Sequence, residues 1–184
     1  MPPTLPIFTE RLTLRLTEIR DRDALLAIYS DKDVARFLLD DPWTAAEAAL
    51  QVSKRVRRTG LDAEEAALAL VIEAEGKVVG DVAMWCTDDT RHKVEIGWVI
   101  APWAAGRGYA AEAAGGLIRA GIRAYGLHRI EAQLDARNTA SARVCEKLGM
   151  QREAWLRQNW WSKGEWTDTL IYGLLASELE VEED

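Results

Sequence analysis

Leu12, Leu14 and Leu16 alternate with Thr13, Arg15 and Thr17, the period of a strand with one buried face. The period then lengthens. Leu25, Leu26, Ile28 and Tyr29 supply the apolar side of a helix over residues 21–30, and residues 34–38 also read as helical. Thr44 and Glu47 form the capping-box pattern of a further helix that runs to about Arg58. Residues 68–73 and 77–86 are β-rich runs parted by the hairpin signal Glu75-Gly76-Lys77, and residues 93–100 continue an antiparallel meander after a polar turn. Ala110, Ala113, Ala114, Leu117, Ile118, Gly121, Ile122 and Tyr125 recur at three and four, so a helix with small residues on its inner face lies close against a sheet. Ile130, Ala132 and Leu134 alternate within a strand over residues 129–135. A short helix over residues 138–148 stops at Gly149, where a left-handed residue is wanted. Residues 150–157 and 167–175 are the last two strands, joined by "QNWWSKGEW".

This order, without internal repeats or low-complexity linkers, predicts one α/β layered domain over residues 1–184 with a mixed sheet. A chain of 184 residues suits one domain with a substantial core, and 48% hydrophobic with 29% charged residues fits a water-exposed globular protein. The net charge of −7 argues against a nucleic-acid partner, because phosphate binding needs a concentrated basic face. Charge is nonetheless uneven. Basic residues recur from Arg107 to Arg152, and residues 180–184 form an acidic tail. Cys86 and Cys145 have neither disulfide-framework nor zinc spacing. No apolar run reaches membrane-spanning length and the amino terminus lacks a leader pattern, so no membrane partner and a cytoplasmic location are expected.

"WAAGRGYAAEAA", residues 103–114, sets Gly106 and Gly108 at the mouth of the small-residue helix. A Walker loop needs Gly-Lys and then Ser or Thr, whereas Arg107 is followed by Gly108 and Tyr109. The dinucleotide pattern is formally met by Gly106, Gly108 and Ala111, but "APWAA" separates it from the preceding strand and the acid Asp135 comes too late. What remains is a loop whose backbone N–H groups, with the helix N-terminus, hold a pyrophosphate. Gly97, inside the preceding strand, suggests a bulge or a ligand approaching the backbone.

"VEIGWVIAPWAAGRGYAAEA", "LHRIEAQLDARNTASARVCEKLGM" and "GEWTDTLIYGLL" in this order resemble the GNAT superfamily of acyl-CoA-dependent N-acyltransferases, nearest its ribosomal-protein N-terminal (Rim-type) branch. The resemblance runs from the "ERLTLR" strand to "YGLL". It implies a GNAT-like layered domain, a mixed and mostly antiparallel sheet of about seven strands with splayed central strands, flanked by about four helices. The implied cofactor is acetyl-CoA. The family's loop pattern falls on Ala105, Gly106, Arg107, Gly108, Tyr109 and Ala110, and departs from it at Ala105, where a polar side chain is usual. The loop amides therefore carry the pyrophosphate.

The implied reaction is direct transfer of an acetyl group to a primary amine, either a protein N-terminus or a small molecule. It needs a base for the ammonium, an acid for the leaving thiolate and donors for the oxyanion. By resemblance, Glu95 is the candidate base, with Asp81 and Asp135 behind it, and water as a relay. The acid position often filled by Tyr falls on Cys145, which leaves Ser141 and, as fallback, Tyr172. Asn138 is the pantetheine contact, Arg143 or Lys147 would meet the 3′-phosphate, and the N–H groups of Val99 and Ile100 face the oxyanion. Glu112 favours the helix N-terminus. Trp155, Trp160, Trp161 and Trp166 crowd the strands where the family builds its acceptor cleft. A catalytically silent acyl-CoA-binding or interaction domain is the alternative, and a homodimer is among the states left open.

Overall fold

The computed structural model describes residues 2–179, so the acidic tail over residues 180–184 lies outside the described residues. The expected meander is present as β4 (Ala67–Ala74), β5 (Lys77–Cys86) and β6 (Lys93–Ile100). It is extended on one side by β2 (Thr13–Leu16) and on the other by β7 (Arg129–Asp135), β9 (Glu165–Leu175) and β8 (Gln151–Ser162). Two strands of two residues, β1 (Ile7–Phe8) and β3 (Thr59–Gly60), complete what is, among the described residues, a 9-stranded sheet; neither is long enough to show a period. Among the described residues, only β6 and β7 pair in parallel.

Helices α1 (Arg22–Tyr29), α2 (Lys32–Ala35) and α3 (Ala45–Arg57) precede the meander, and α4 (Tyr109–Tyr125) and α5 (Thr139–Lys147) flank β7 in sequence. The capping box of α3 is half formed. Thr44 Oγ1 accepts the Glu47 N–H at 3.2 Å, but the Glu47 carboxylate turns forward to Gln51 Nε2 at 2.8 Å. Residues expected to be a loop between the last strands are instead strand. The hairpin closes at Lys163-Gly164, both with φ > 0 (50° and 84°), the requirement of a tight primed turn. Its Lys163 ammonium donates to the Ala35 carbonyl, tying the hairpin tip to α2.

Side-chain alternation assigns the two faces of the sheet. Asp81 on β5 meets Arg55 of α3 and Tyr29 of α1, so odd-numbered β5 positions face those helices. Even-numbered Met84 faces α4, where a Cβ at Gly121 would lie 3.2 Å from its sulfur and 2.9 Å from Leu127. The small-residue face of α4 thus permits the close approach its spacing predicts. Among the described residues, no helix is long and apolar enough to cross a membrane.

Candidate active site

The parallel pair β6–β7 holds together for three rungs, ending at Glu95↔Glu131. Past it, β6 stays on β5 as far as Ile100↔Gly80, while β7 follows β9 as far as Asp135↔Thr169. Each strand keeps its outer partner, so the two part in a V. The opening lies at their C-terminal ends, where the chain also places the N-termini of α4 and α5. A cleft of about 610 Å³ fills the V. The backbone of β6 supplies it with donors. Ala101 N–H donates to the Val79 carbonyl at 2.8 Å. By ladder alternation the peptide groups of Val99 and Gly97 also face β5, whereas those of Trp98 and Ile100 face the opening. Of the expected pair, the Ile100 N–H therefore faces the opening together with that of Trp98, whereas the Val99 N–H turns to β5 although Val99 itself lines the cleft.

Glu95 occupies the apex. It pairs with Trp85 on β5 and Glu131 on β7, which puts it on the α1–α3 face. Burial, aided by the charge of Glu131 and opposed by Lys93, raises its carboxyl above the ordinary glutamate range. Its hydrogen-bond partner is Gln133 Nε2 at a long 3.4 Å. Asp135 differs: bonds from Arg137 hold its carboxyl low against burial, a poor condition for a base. Gly97 shows no bulge. It keeps register with Ala83, and a Cβ there would lie 3.3 Å from the Trp85 indole, so this glycine makes room for a ring in the cleft wall.

At the other side of the opening, Ala105, Gly106 and Arg107 are exposed, Gly106 and Gly108 have φ of 77° and 82°, and nothing lies within 4 Å of a Cβ built on Gly106. The 17-residue α4 starts immediately after, with Tyr109 buried and Ala110 half-buried. Open amides at the head of a long helix are the arrangement an anion needs, so the loop fits a pyrophosphate. Its shape is fixed from outside. Arg11 donates to the Arg107 carbonyl at 3.0 Å and pairs with Glu112 at 2.6 Å, while Thr9 Oγ1 donates to the same carboxylate at 2.6 Å. Burial alone would raise the Glu112 carboxyl, but the bonds from Thr9 and Arg11 hold it below the usual range. Glu112 is thus a latch between α4 and the turn before β2.

Asn138 caps α5, its Oδ1 accepting the Ser141 N–H at 3.0 Å, and both side chains line the cleft. Arg143 and Lys147 are exposed on α5, outside the cleft lining. Tyr172 does not join them. It pairs with Ala132 on the α4–α5 face, is 4% exposed, and lies near Cys145 and Glu146, with burial raising its hydroxyl. Cys145 is itself buried, its thiol pushed up to about 12. Of the late tryptophans only Trp160 lines the cleft; Trp155, Trp161 and Trp166 are exposed on the hairpin. Among the described residues no cluster could hold a metal.

The cleft floor contains a group that sequence reasoning missed, apart from Asp81. Tyr29 OH donates to Asp81 at 2.6 Å, Arg55 Nε to the same carboxylate at 2.9 Å, and the Arg55 guanidinium lies over the stacked rings of Tyr29 and Trp43 at 5.1 and 4.9 Å. Three separate elements meet there, so no local spacing announces it. Arg55→Met is expected to lower unfolding stability by about 3 kcal/mol, because it strands a buried carboxylate with one neutral donor. Urea unfolding at neutral pH measures this, and a loss under about 1 kcal/mol would mean that water reaches Asp81.

A layered sheet with parted parallel strands beside a glycine-headed helix is the architecture of the GNAT-like domain. A family profile described as Acetyltransferase (GNAT) domain matches residues 11–151. The N-acetyltransferase p20 of Bacillus licheniformis is 30% identical over 172 residues, covering 94% of this chain and 97% of that protein. The crystal structure of an acetyltransferase (GNAT family) from Bacillus anthracis is similar at a TM-score of 0.82 and 32% identity, over 92% of this chain and 97% of that one. Mycobacterium smegmatis RimJ in complex with CoA-disulfide is similar at a TM-score of 0.81 and 25% identity, over 98% and 92%. The chain belongs to the GNAT acetyltransferase family.

Proposed function

We propose that the protein is an acetyl-CoA-dependent N-acetyltransferase that transfers the acetyl group directly to a primary amine within a ternary complex. The parting of β6 from β7 immediately after Glu95 carries this reading, because it joins a pocket on the α1–α3 face to the helix N-termini on the other. Acetyl-CoA supplies an activated thioester. The amides from Gly106 to Ala110 receive its pyrophosphate, with Ala105 and Arg107 shaping the loop, Asn138 meets the pantetheine arm, and Arg143 or Lys147 meets the 3′-phosphate. The Trp98 and Ile100 N–H groups face the charge that develops on the acetyl oxygen, and donors so placed are commonly the largest electrostatic contribution to such a step. Glu95 accepts the amine proton. Ser141 donates to the departing sulfur, a role that the seclusion of Tyr172 and Cys145 leaves to it.

Thiol release from acetyl-CoA with a panel of peptides, amino acids, polyamines and aminoglycosides tests the reading. Thermal stabilisation by acetyl-CoA without thiol release from any amine would favour a silent acyl-CoA-binding domain instead. Ser141→Ala is expected to lower kcat by about a hundredfold with little change in the acetyl-CoA KM, the lower end of the range for losing one proton donor. Unaltered kcat would remove Ser141 from the mechanism.

A further inference from the structure

Resting on the transferase reading, we propose that the acceptor is a small amine that also carries an oxyanion, a carboxylate or phosphate, which is received by Arg58 with Arg36 as a second cation. The charges lining the cleft leave these two arginines over. Asp81 is taken by Arg55 at 2.9 Å, and Asp135 by Arg137 at 2.8 Å. Arg137 is in turn shared with Glu165 at 2.7 Å. Glu95 forms no ion pair among the described residues and is the proton acceptor.

Arg58, at the C-terminal end of α3, is half-buried and lines both the cleft and a smaller adjoining pocket. Among the described residues its guanidinium has no ion pair and no hydrogen bond. The acid in that smaller pocket, Glu65, is already held by Arg57 at 3.1 Å. Arg36 is exposed at the cleft mouth, its guanidinium over Phe37 at 5.0 Å and near enough to Asp135 to help keep that carboxyl low.

A guanidinium that gives up part of its hydration without gaining a partner is costly, and in a ligand cleft the compensating anion comes from the ligand. Trp85 connects the two ends. It lines both pockets with Arg58, and its register partner on β6 is Glu95, so one cleft reaches both the carboxylate and the unpaired guanidinium. A purely cationic acceptor would instead bring its second charge toward Arg58, which has no anionic partner among the described residues, with Arg36 close by.

Thiol release on matched pairs tests this: amino acids and ω-amino acids against their carboxamides, and aminoalkylphosphonates against the parent alkylamines. For wild type, kcat/KM is expected to favour the anionic member by about tenfold or more, the scale of one hydrogen bond to a charged group. The carboxylate and phosphonate arms show which oxyanion is preferred. Arg58→Met is expected to cut that ratio about tenfold through the acceptor KM, and Arg58→Lys to recover part of it. Acetyl-CoA affinity by calorimetry is expected to stay as in wild type, which also reports that the variant is folded. A preference for neutral amines, polyamines or peptide N-termini overturns the proposal, as does an Arg58→Met loss equal for both members of a pair. Absence of thiol release with every amine, despite measured acetyl-CoA binding, overturns the transferase reading itself and this proposal with it.

Discussion

Glu95→Gln is expected to lower kcat by about a thousandfold, in the middle of the range for a positioned base, while leaving acetyl-CoA affinity within about twofold. The substitution keeps size and hydrogen-bonding capacity at the apex of the V, so what it removes is the proton acceptor. The pH dependence separates a base from a mere wall residue. Because burial and Glu131 raise the Glu95 carboxyl, the wild-type kcat/KM is expected to fall on acidification at a pH above the ordinary glutamate range, with unit slope. The variant is expected to lose that limb.

Stability moves in the opposite sense. A carboxyl raised in the folded state contributes stability that is present below its unfolded pKa and is lost as pH rises through its folded pKa. At neutral pH the charged Glu95 therefore works against the fold. Glu95→Gln should raise the melting temperature slightly there, with the difference shrinking toward acid pH. A carboxylate held low by partners, such as Glu112, would show the reverse. A variant that loses stability at neutral pH but keeps kcat would make Glu95 structural.

Much of this site was legible in the sequence because its parts are local. The continuation of the meander over residues 93–100 and the alternation of residues 129–135 locate the two strands that part, with the boundaries the structure has. The glycine pair and Asn138 mark helix entries by residue type, and both stand at the opening. Where the reading stopped, the determinants are not local. Val99 and Trp98 cannot be told apart as donors without the Ala101–Val79 bond that fixes which peptide groups turn toward β5. Tyr172 is one residue from Ile171 in the chain but on the opposite face of β9, under α5, and only the register with Ala132 assigns that face. Tyr29, Arg55 and Asp81 belong to α1, α3 and β5, and no period links them. In the last hairpin only the joining segment, residues 158–166, reads as a loop, because Lys163-Gly164 marks a turn while the polar, tryptophan-rich flanks hide the alternation of an exposed edge strand. Nearly all of β8 is exposed, so it lacks the buried-face pattern by which strands are recognised.

Gly108→Glu is expected to weaken acetyl-CoA binding by about a thousandfold, since it sets a carboxylate at the loop amides that receive the pyrophosphate, converting charge attraction to repulsion. Two other effects accompany it, and a second variant isolates them. Gly108 has φ of 82°, so any side chain strains the backbone, by about 1 kcal/mol for a residue that tolerates the left-handed region poorly. Arg11 Nη2 would also lie 3.5 Å from the new Cβ, offering the introduced carboxylate a partner in competition with Glu112. Gly108→Asn also places a side chain at this backbone position, with less strain because Asn adopts the left-handed conformation more readily, and it adds no charge. Its acetyl-CoA affinity is expected to fall by no more than about tenfold. Isothermal titration calorimetry on both proteins, with melting temperatures to confirm folding, reads the difference. Equal losses would assign the effect to loop shape and the Arg11–Glu112 latch. Undiminished binding by the folded Glu variant would place the pyrophosphate elsewhere, and with it the cofactor side of the V.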